Sequence, residues 1–204
     1  MPDIEWTPPA PRQGSLGAWD RFVGPGATSA EEWVQLVLGL GIAAACVGSF
    51  GWSGGFAGGP VAIVVAIVLA ADLGGGLVTN ATAAAKRWYH RPGHGRAAHL
   101  KFVAVHGIHI AAVAAVFPTD AVAYFLAAYG YLMLAAVLIV LAPLYLQRPI
   151  AMGVTGLGIV LAQLPLLTVP GLGWFLPLLL LKLLVAHLLK EAPFARRQRN
   201  GAAP

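Results

Sequence analysis

The chain has 204 residues, 58% of them hydrophobic and only 10% charged, with a formal net charge of +5. Soluble domains carry about 25% charged residues, so this composition excludes an ordinary water-soluble enzyme and points to a bilayer protein. One cysteine, Cys46, excludes an intramolecular disulfide and a thiolate zinc cluster.

Residues 1–29 read as a polar cytoplasmic segment that contains Pro8, Pro9 and Pro11. No cationic stretch leads directly into an apolar core and cleavage site, so a standard signal peptide is not expected. Leu16–Val23 is amphipathic and should lie on the membrane surface, with Trp19 and Phe22 dipping in. Residues 30–191 then hold six apolar stretches: Glu32–Phe50, Pro60–Asn80, Leu100–Phe117, Ala121–Leu146, Ile150–Val169 and Leu172–Lys190. Each approaches the ~20 residues a helix needs to cross a bilayer, and none alternates as a barrel strand would. The expected fold is therefore all-α, a polytopic integral membrane bundle of six transmembrane helices with short loops. Turn chemistry at Trp52–Gly55, Pro118–Asp120 and Pro170-Gly171 makes neighbouring helices antiparallel. Pro165 and Pro177 suggest kinks in spans five and six. Residues 192–204 form a basic tail.

Orientation follows from Lys and Arg. Arg12 and Arg21 precede span one; Lys86, Arg87, Arg91, Arg96 and Lys101 surround the loop after span two; Arg148 follows span four; Lys190, Arg196, Arg197 and Arg199 follow span six. With six spans these positions share one face, which the positive-inside rule makes cytoplasmic, with both termini there. The expected location is the cell inner membrane. The positive charge then meets anionic lipid headgroups, and no nucleic-acid partner is needed to account for it.

Ionisable residues inside spans are costly and face a cavity or a partner. At ~1.5 Å per residue, Asp72, His106, His109 and Lys182 fall about 10–15 Å below the cytoplasmic edge, on three different helices. Asn80, His99, His187 and Glu191 form a second level at that edge. His99, His106 and His109 share an arc of roughly 80° on span three. Gly74-Gly75-Gly76 beside Asp72 permits close approach of a backbone or a ligand.

Several readings of this layer stand side by side. Asp72 and Lys182 can form a purely structural ion pair. A divalent metal, Zn or Fe, can be held by His99, His106, His187 and Glu191, although His99 is about 10 Å from His106 along the helix. A b-type haem can sit between His187 and His99 or His106. A proton or ion pathway would use the same residue types, but the outer half of the spans has no ionisable residue apart from Asp120 at its edge.

The loop Lys86–Arg96 alternates basic residues with Trp88, Tyr89, His90 and His94. It reads either as an interfacial belt or as a clamp for an anionic headgroup. The string Lys86-x4-Arg91-Pro92-x-His94 is similar to phosphate-binding strings of lipid phosphatases, whose later motifs this chain lacks.

The expectation is a small membrane-embedded enzyme, metal-dependent and hydrolytic or oxidative, acting on a lipid or other hydrophobic substrate among the membrane lipids. Asp72, His109 and Lys182 are the candidate catalytic residues. Arg87, His90, Arg91, His94, Arg96 and Asn80 are the candidate substrate-binding residues, and His99, His106, His187 and Glu191 the candidate metal ligands. The alternative is an ion-coupled transporter or a single-haem b-type electron carrier.

Overall fold

The computed structural model describes residues 4–117 and 119–194. Among these, regular structure is helical, apart from an isolated antiparallel bridge between Ile4 and Phe194. Arg196, Arg197 and Arg199 of the basic tail lie outside the described residues.

Helix α1 (Gly14–Val23) is the expected amphipathic element, and its exposed face carries Leu16, Trp19 and Phe22. The preceding segment is strapped to it by Arg12, whose guanidinium meets the buried Asp20 at 2.6 Å. Helix α2 (Ser29–Trp52) begins with a capping box in which Thr28 and Glu31 satisfy each other's backbone N–H. That reciprocal bonding is what a Thr-x-x-Glu string supplies at a helix start. After a short 3₁₀ turn comes α3 (Gly59–Ala81), then the short α4 (Ala83–Tyr89), capped by Thr82.

Span three is two helices, α5 (Arg96–Val105) and α6 (Gly107–Val116), broken at His106. At the break the His106 N–H bonds to the Val103 carbonyl at 3.1 Å instead of reaching back four residues. The Phe102 carbonyl this leaves open accepts from His106 Nδ1 at 2.7 Å. A side chain has replaced a backbone donor, a recognised cause of helix breaks.

Helix α7 is Ala121–Leu141 and α8 is Leu144–Leu161. The join falls earlier than the sequence suggests. Ala142 is extended, with ψ 148°, ahead of Pro143, because a residue before proline is pushed out of the helical region. Arg148 therefore lies within α8 and not in the connecting loop. Neither expected kink forms as such. Pro165 follows the end of α8 in a run of turns. Pro177 occupies the first turn of α9 (Phe175–Leu180), where its missing N–H is tolerated. Helix α9 continues into a π-helical segment, Leu181–His187.

Five helices (α2, Gly55–Ala81 with α3, Arg96–Val116, α7 and α8) are long and apolar enough to cross a membrane, and Phe175–His187 is a shorter apolar sixth. The chain is a helical membrane bundle. Helix α3 is central: it packs on α2, α6, α9 and the π segment, while α7 covers α5, α6 and α8. Glycine sets the closest approach. A Cβ on Gly74 would lie 2.8 Å from the Gly39 carbonyl oxygen of α2. Leu73, Ile110, Leu132, Leu179 and Leu183 are fully buried where these helices meet.

Candidate functional site

The deep polar level is assembled by three elements. Asp72 of α3 receives Lys182 Nζ of the π segment at 2.5 Å on Oδ2. His109 Nε2 of α6 meets the same oxygen at 3.0 Å. Lys182 also donates to the Asp72 backbone carbonyl at 3.3 Å. Its stem crosses α3 at Gly76, where a Cβ would collide with Lys182 Cε. Of the three glycines beside Asp72, Gly74 thus admits a backbone and Gly76 a lysine. Only 4% of the Lys182 side chain is exposed, against 35% of Asp72. The ammonium is sealed inside the bundle while the carboxylate keeps an open side.

With His109 Nε2 turned to the carboxylate, its other nitrogen is decisive. His109 Nδ1 is buried and has no hydrogen-bond partner. The His106 ring stacks on it, with centroids 5.0 Å apart and planes 13° apart. Asp72 therefore orients an imidazole whose far nitrogen is uncommitted. His106 belongs to this level, as its depth suggests, but its Nδ1 is spent on the Phe102 carbonyl.

A second cluster occupies the basic end of the bundle. His99 Nδ1 lies 3.3 Å from His187 Nε2, and His90 Nε2 donates to the His187 backbone carbonyl at 3.0 Å. The His90 and His99 rings are 4.5 Å apart. Phe102 stacks on His187 with centroids 3.9 Å apart, and Tyr89 meets the same ring edge-on. Phe102 also touches the His106 ring, at 4.8 Å, so an aromatic side chain separates the two histidine levels. His187 Nδ1 is buried without a partner. His90, in the loop, is held neutral: burial, reinforced by His99 and Lys86, pushes it down to about 3.

The candidate headgroup residues disperse. Arg87 is buried and reaches the Gly26 carbonyl at 3.4 Å. Arg91 folds over the Trp88 ring at 3.7 Å. Arg96 is exposed at the start of α5. Asn80 is buried on α3 with Nδ2 unpartnered. His90, Arg91 and His94 do border a common cavity of about 380 Å³, together with Trp6 and Lys190. That cavity is the part of the expected clamp that comes together.

Sequence reasoning missed Lys86. It is 3% exposed and donates to the carbonyls of Ala186 and Leu189 at 2.6 and 2.7 Å, with Glu191 at 3.7 Å. Carbonyls at a helix C-terminus lack intrahelical donors and attract a cation. Burial pushes the Lys86 amine down to about 8 despite Glu191. The available signal was Thr82 followed by three alanines, an N-cap that opens a short helix and places Lys86 on its packed face.

The expected metal ligands do not converge. Glu191 turns to Lys86, His106 stacks on His109 with Phe102 between it and His187, and His99 and His187 contact each other directly. Among the described residues no group of three His, Cys, Asp or Glu side chains could hold one ion. The geometry instead defines an oriented imidazole beside a shared carboxylate, within a helical membrane protein. Comparison with family models, curated proteins and solved structures finds no match to this chain.

Proposed function

We propose that this chain is a membrane-embedded enzyme that performs acid–base chemistry on a lipid or lipid-like substrate. His109 is the proton acceptor and Asp72 its orienting carboxylate. One observation carries the reading. His109 gives Nε2–H to Asp72 and keeps a buried, unpartnered Nδ1. A carboxylate on one ring nitrogen fixes the tautomer and leaves the other as a base, the logic of Asp–His pairs in many hydrolases. Lys182 balances the carboxylate charge, so the pair can exist within a bilayer. The open side of Asp72 favours a substrate arriving from the hydrophobic phase over a purely adhesive ion pair. Metal dependence is not carried into this proposal, since its ligand set is scattered.

A second reading, proton-coupled transport, draws support from the contacting imidazoles of His90, His99 and His187 at the basic end. Under the positive-inside rule, the basic ends of the helices support an orientation with that cluster toward the cytoplasm of a cell inner membrane and both termini on that side. A cysteine introduced at Gly93 that reacts with an impermeant reagent from outside would reverse this orientation.

The enzyme reading is tested with purified protein in vesicles of phosphatidylethanolamine and phosphatidylglycerol, incubated in H₂¹⁸O and in D₂O. Mass spectrometry reads label entering the lipids. Wild type should introduce label, and His109→Gln, which keeps a donor for Asp72 but cannot take a proton, should reduce it at least about 100-fold. Equal labelling by His109→Gln, or none by wild type, would sink the proposal. Proton flux without lipid labelling would favour transport.

A further inference from the structure

We infer that the groove between α1, α2 and α3 is a binding site for one ester-linked glycerolipid with an amine headgroup. The groove has a volume of about 510 Å³, within the range of small-ligand sites. Its walls are apolar: Leu36, Leu40, Ala43 and Ala71, with the exposed rings of Trp19 and Trp33 toward the headgroup level. One wall is polar. Gln35 is 7% exposed, and its Oε1 accepts from Thr79 Oγ1 at 2.9 Å. Its Nε2 is buried with no partner, and both Gln35 and Thr79 line the groove.

An uncommitted amide donor in an apolar groove costs free energy until an acceptor arrives. Gln35 bonds to Thr79, one residue from Asn80 at the cytoplasmic edge of the span, so its amide lies near the headgroup level. A lipid supplies a chain for the apolar walls and an ester carbonyl for Gln35 Nε2. The rim selects the headgroup. Glu32 lines the groove, and its Oε1 accepts from Trp19 Nε1 at 3.3 Å. Arg12, which feels the Glu32 charge through space, is held on Asp20 at 2.6 Å, and among the described residues no Lys or Arg forms an ion pair with Glu32, so its carboxylate offers the rim an acceptor for a lipid ammonium. The groove is on the α2 side of α3, whereas Asp72 reaches toward α6 and the π segment. The bound lipid is therefore distinct from a substrate at His109, and its site stands whether or not the reaction proposed above is correct.

The test uses the full-length protein in detergent, stripped of lipid. It is then titrated with dioleoyl phosphatidylethanolamine, its diether analogue, and dioleoyl phosphatidylglycerol, and retained lipid is counted by native mass spectrometry. One ester-linked ethanolamine lipid should be held about tenfold more tightly than the diether, the equivalent of one net hydrogen bond. It should also outcompete the glycerol head. Gln35→Leu should abolish the ester preference. Ala71→Leu, which fills the groove without touching the Gln35–Thr79 pair, should lower retention of every lipid and guards against misfolding of the first variant. Equal retention of ester and diether by wild type, or tighter retention of phosphatidylglycerol, would overturn the assignment.

Discussion

The Asp72–Lys182 pair makes an asymmetric prediction about stability. Removing one partner of a buried ion pair costs about 3–5 kcal/mol, and an unpaired charge at mid-span costs about 2.5–3.5 kcal/mol on insertion scales. The two deletions should not be equal. Asp72→Asn strands an ammonium that is 4% exposed and leaves it only neutral acceptors, the new amide oxygen and the residue 72 backbone carbonyl at 3.3 Å. It should fall at the upper end, about 3–5 kcal/mol. Lys182→Met strands a carboxylate that still has His109 at 3.0 Å and is 35% open. It should cost only about 2–3 kcal/mol. The double variant removes both charges and should return to within about 1 kcal/mol of wild type, because a buried pair is often worth little against apolar replacements. Unfolding by SDS in mixed micelles at pH 7 measures all three. A Lys182→Met loss equal to or larger than that of Asp72→Asn would refute the asymmetry. Additive losses in the double variant would refute the pair itself.

Gly76→Ala places a methyl against the Lys182 stem. It should cost about 1–3 kcal/mol, as overpacking does, and the cost should vanish in a Lys182→Ala background in the same assay. Lys86 has its amine pushed by burial from 10.5 down to about 8. Below pH 8 both folded and unfolded chains hold its proton. Between 8 and 10.5 the unfolded chain binds more, so stability should rise with pH by roughly 2–3 kcal/mol. Lys86→Met should lack that rise in unfolding curves taken from pH 7 to 10. His90 is held near 3 by burial, below its ordinary 6.5. As pH falls below 6.5 the unfolded chain takes up a proton that the folded chain refuses. Stability should then fall by up to about 1.4 kcal/mol per pH unit, a loss that His90→Gln should lessen between pH 7 and 4.5.

Length and polarity made the helices legible, while exact ends required local chemistry. Helix α7 starts at Ala121 as hydropathy suggests, capped by Asp120, whereas α2 starts at Ser29, ahead of the expected Glu32, because Thr28 and Glu31 cap it locally. The join of α7 and α8 was misplaced because the weight fell on Arg148 as a loop residue. Pro143 controls it through the backbone of Ala142, and an arginine at the membrane surface is equally at home in a helix. The break at His106 had no clear advance signal. It depends on an imidazole taking over the carbonyl that the backbone abandons, and a histidine followed by glycine occurs in unbroken helices as well.

The site separates in the same way. Depth is one-dimensional and survives in the sequence, so Asp72, His109 and Lys182 could be placed at one level by counting residues. Direction around each helix is less secure. An ideal 3.6-residue period fails where α5 meets α6 and again in the π segment that carries both Lys182 and His187. The expected metal set used residues from both of those regions, and it is the set that scatters. Two histidine levels close in depth are parted by Phe102, a residue with no polar signal of its own. Loop residues were harder still. Lys86 and Arg87 were assigned to solvent and headgroups because charged residues outside spans usually stay there. Each is instead buried against carbonyls, Lys86 on the end of the π segment and Arg87 on Gly26. An irregular helix end offers acceptors that only a long cation can reach, and that demand arises from the tertiary meeting of α4 with span six. The basic loop therefore seals the end of the bundle around His90, His99 and His187. The open side of Asp72 is the feature on which the proposed chemistry, as against a structural brace, rests.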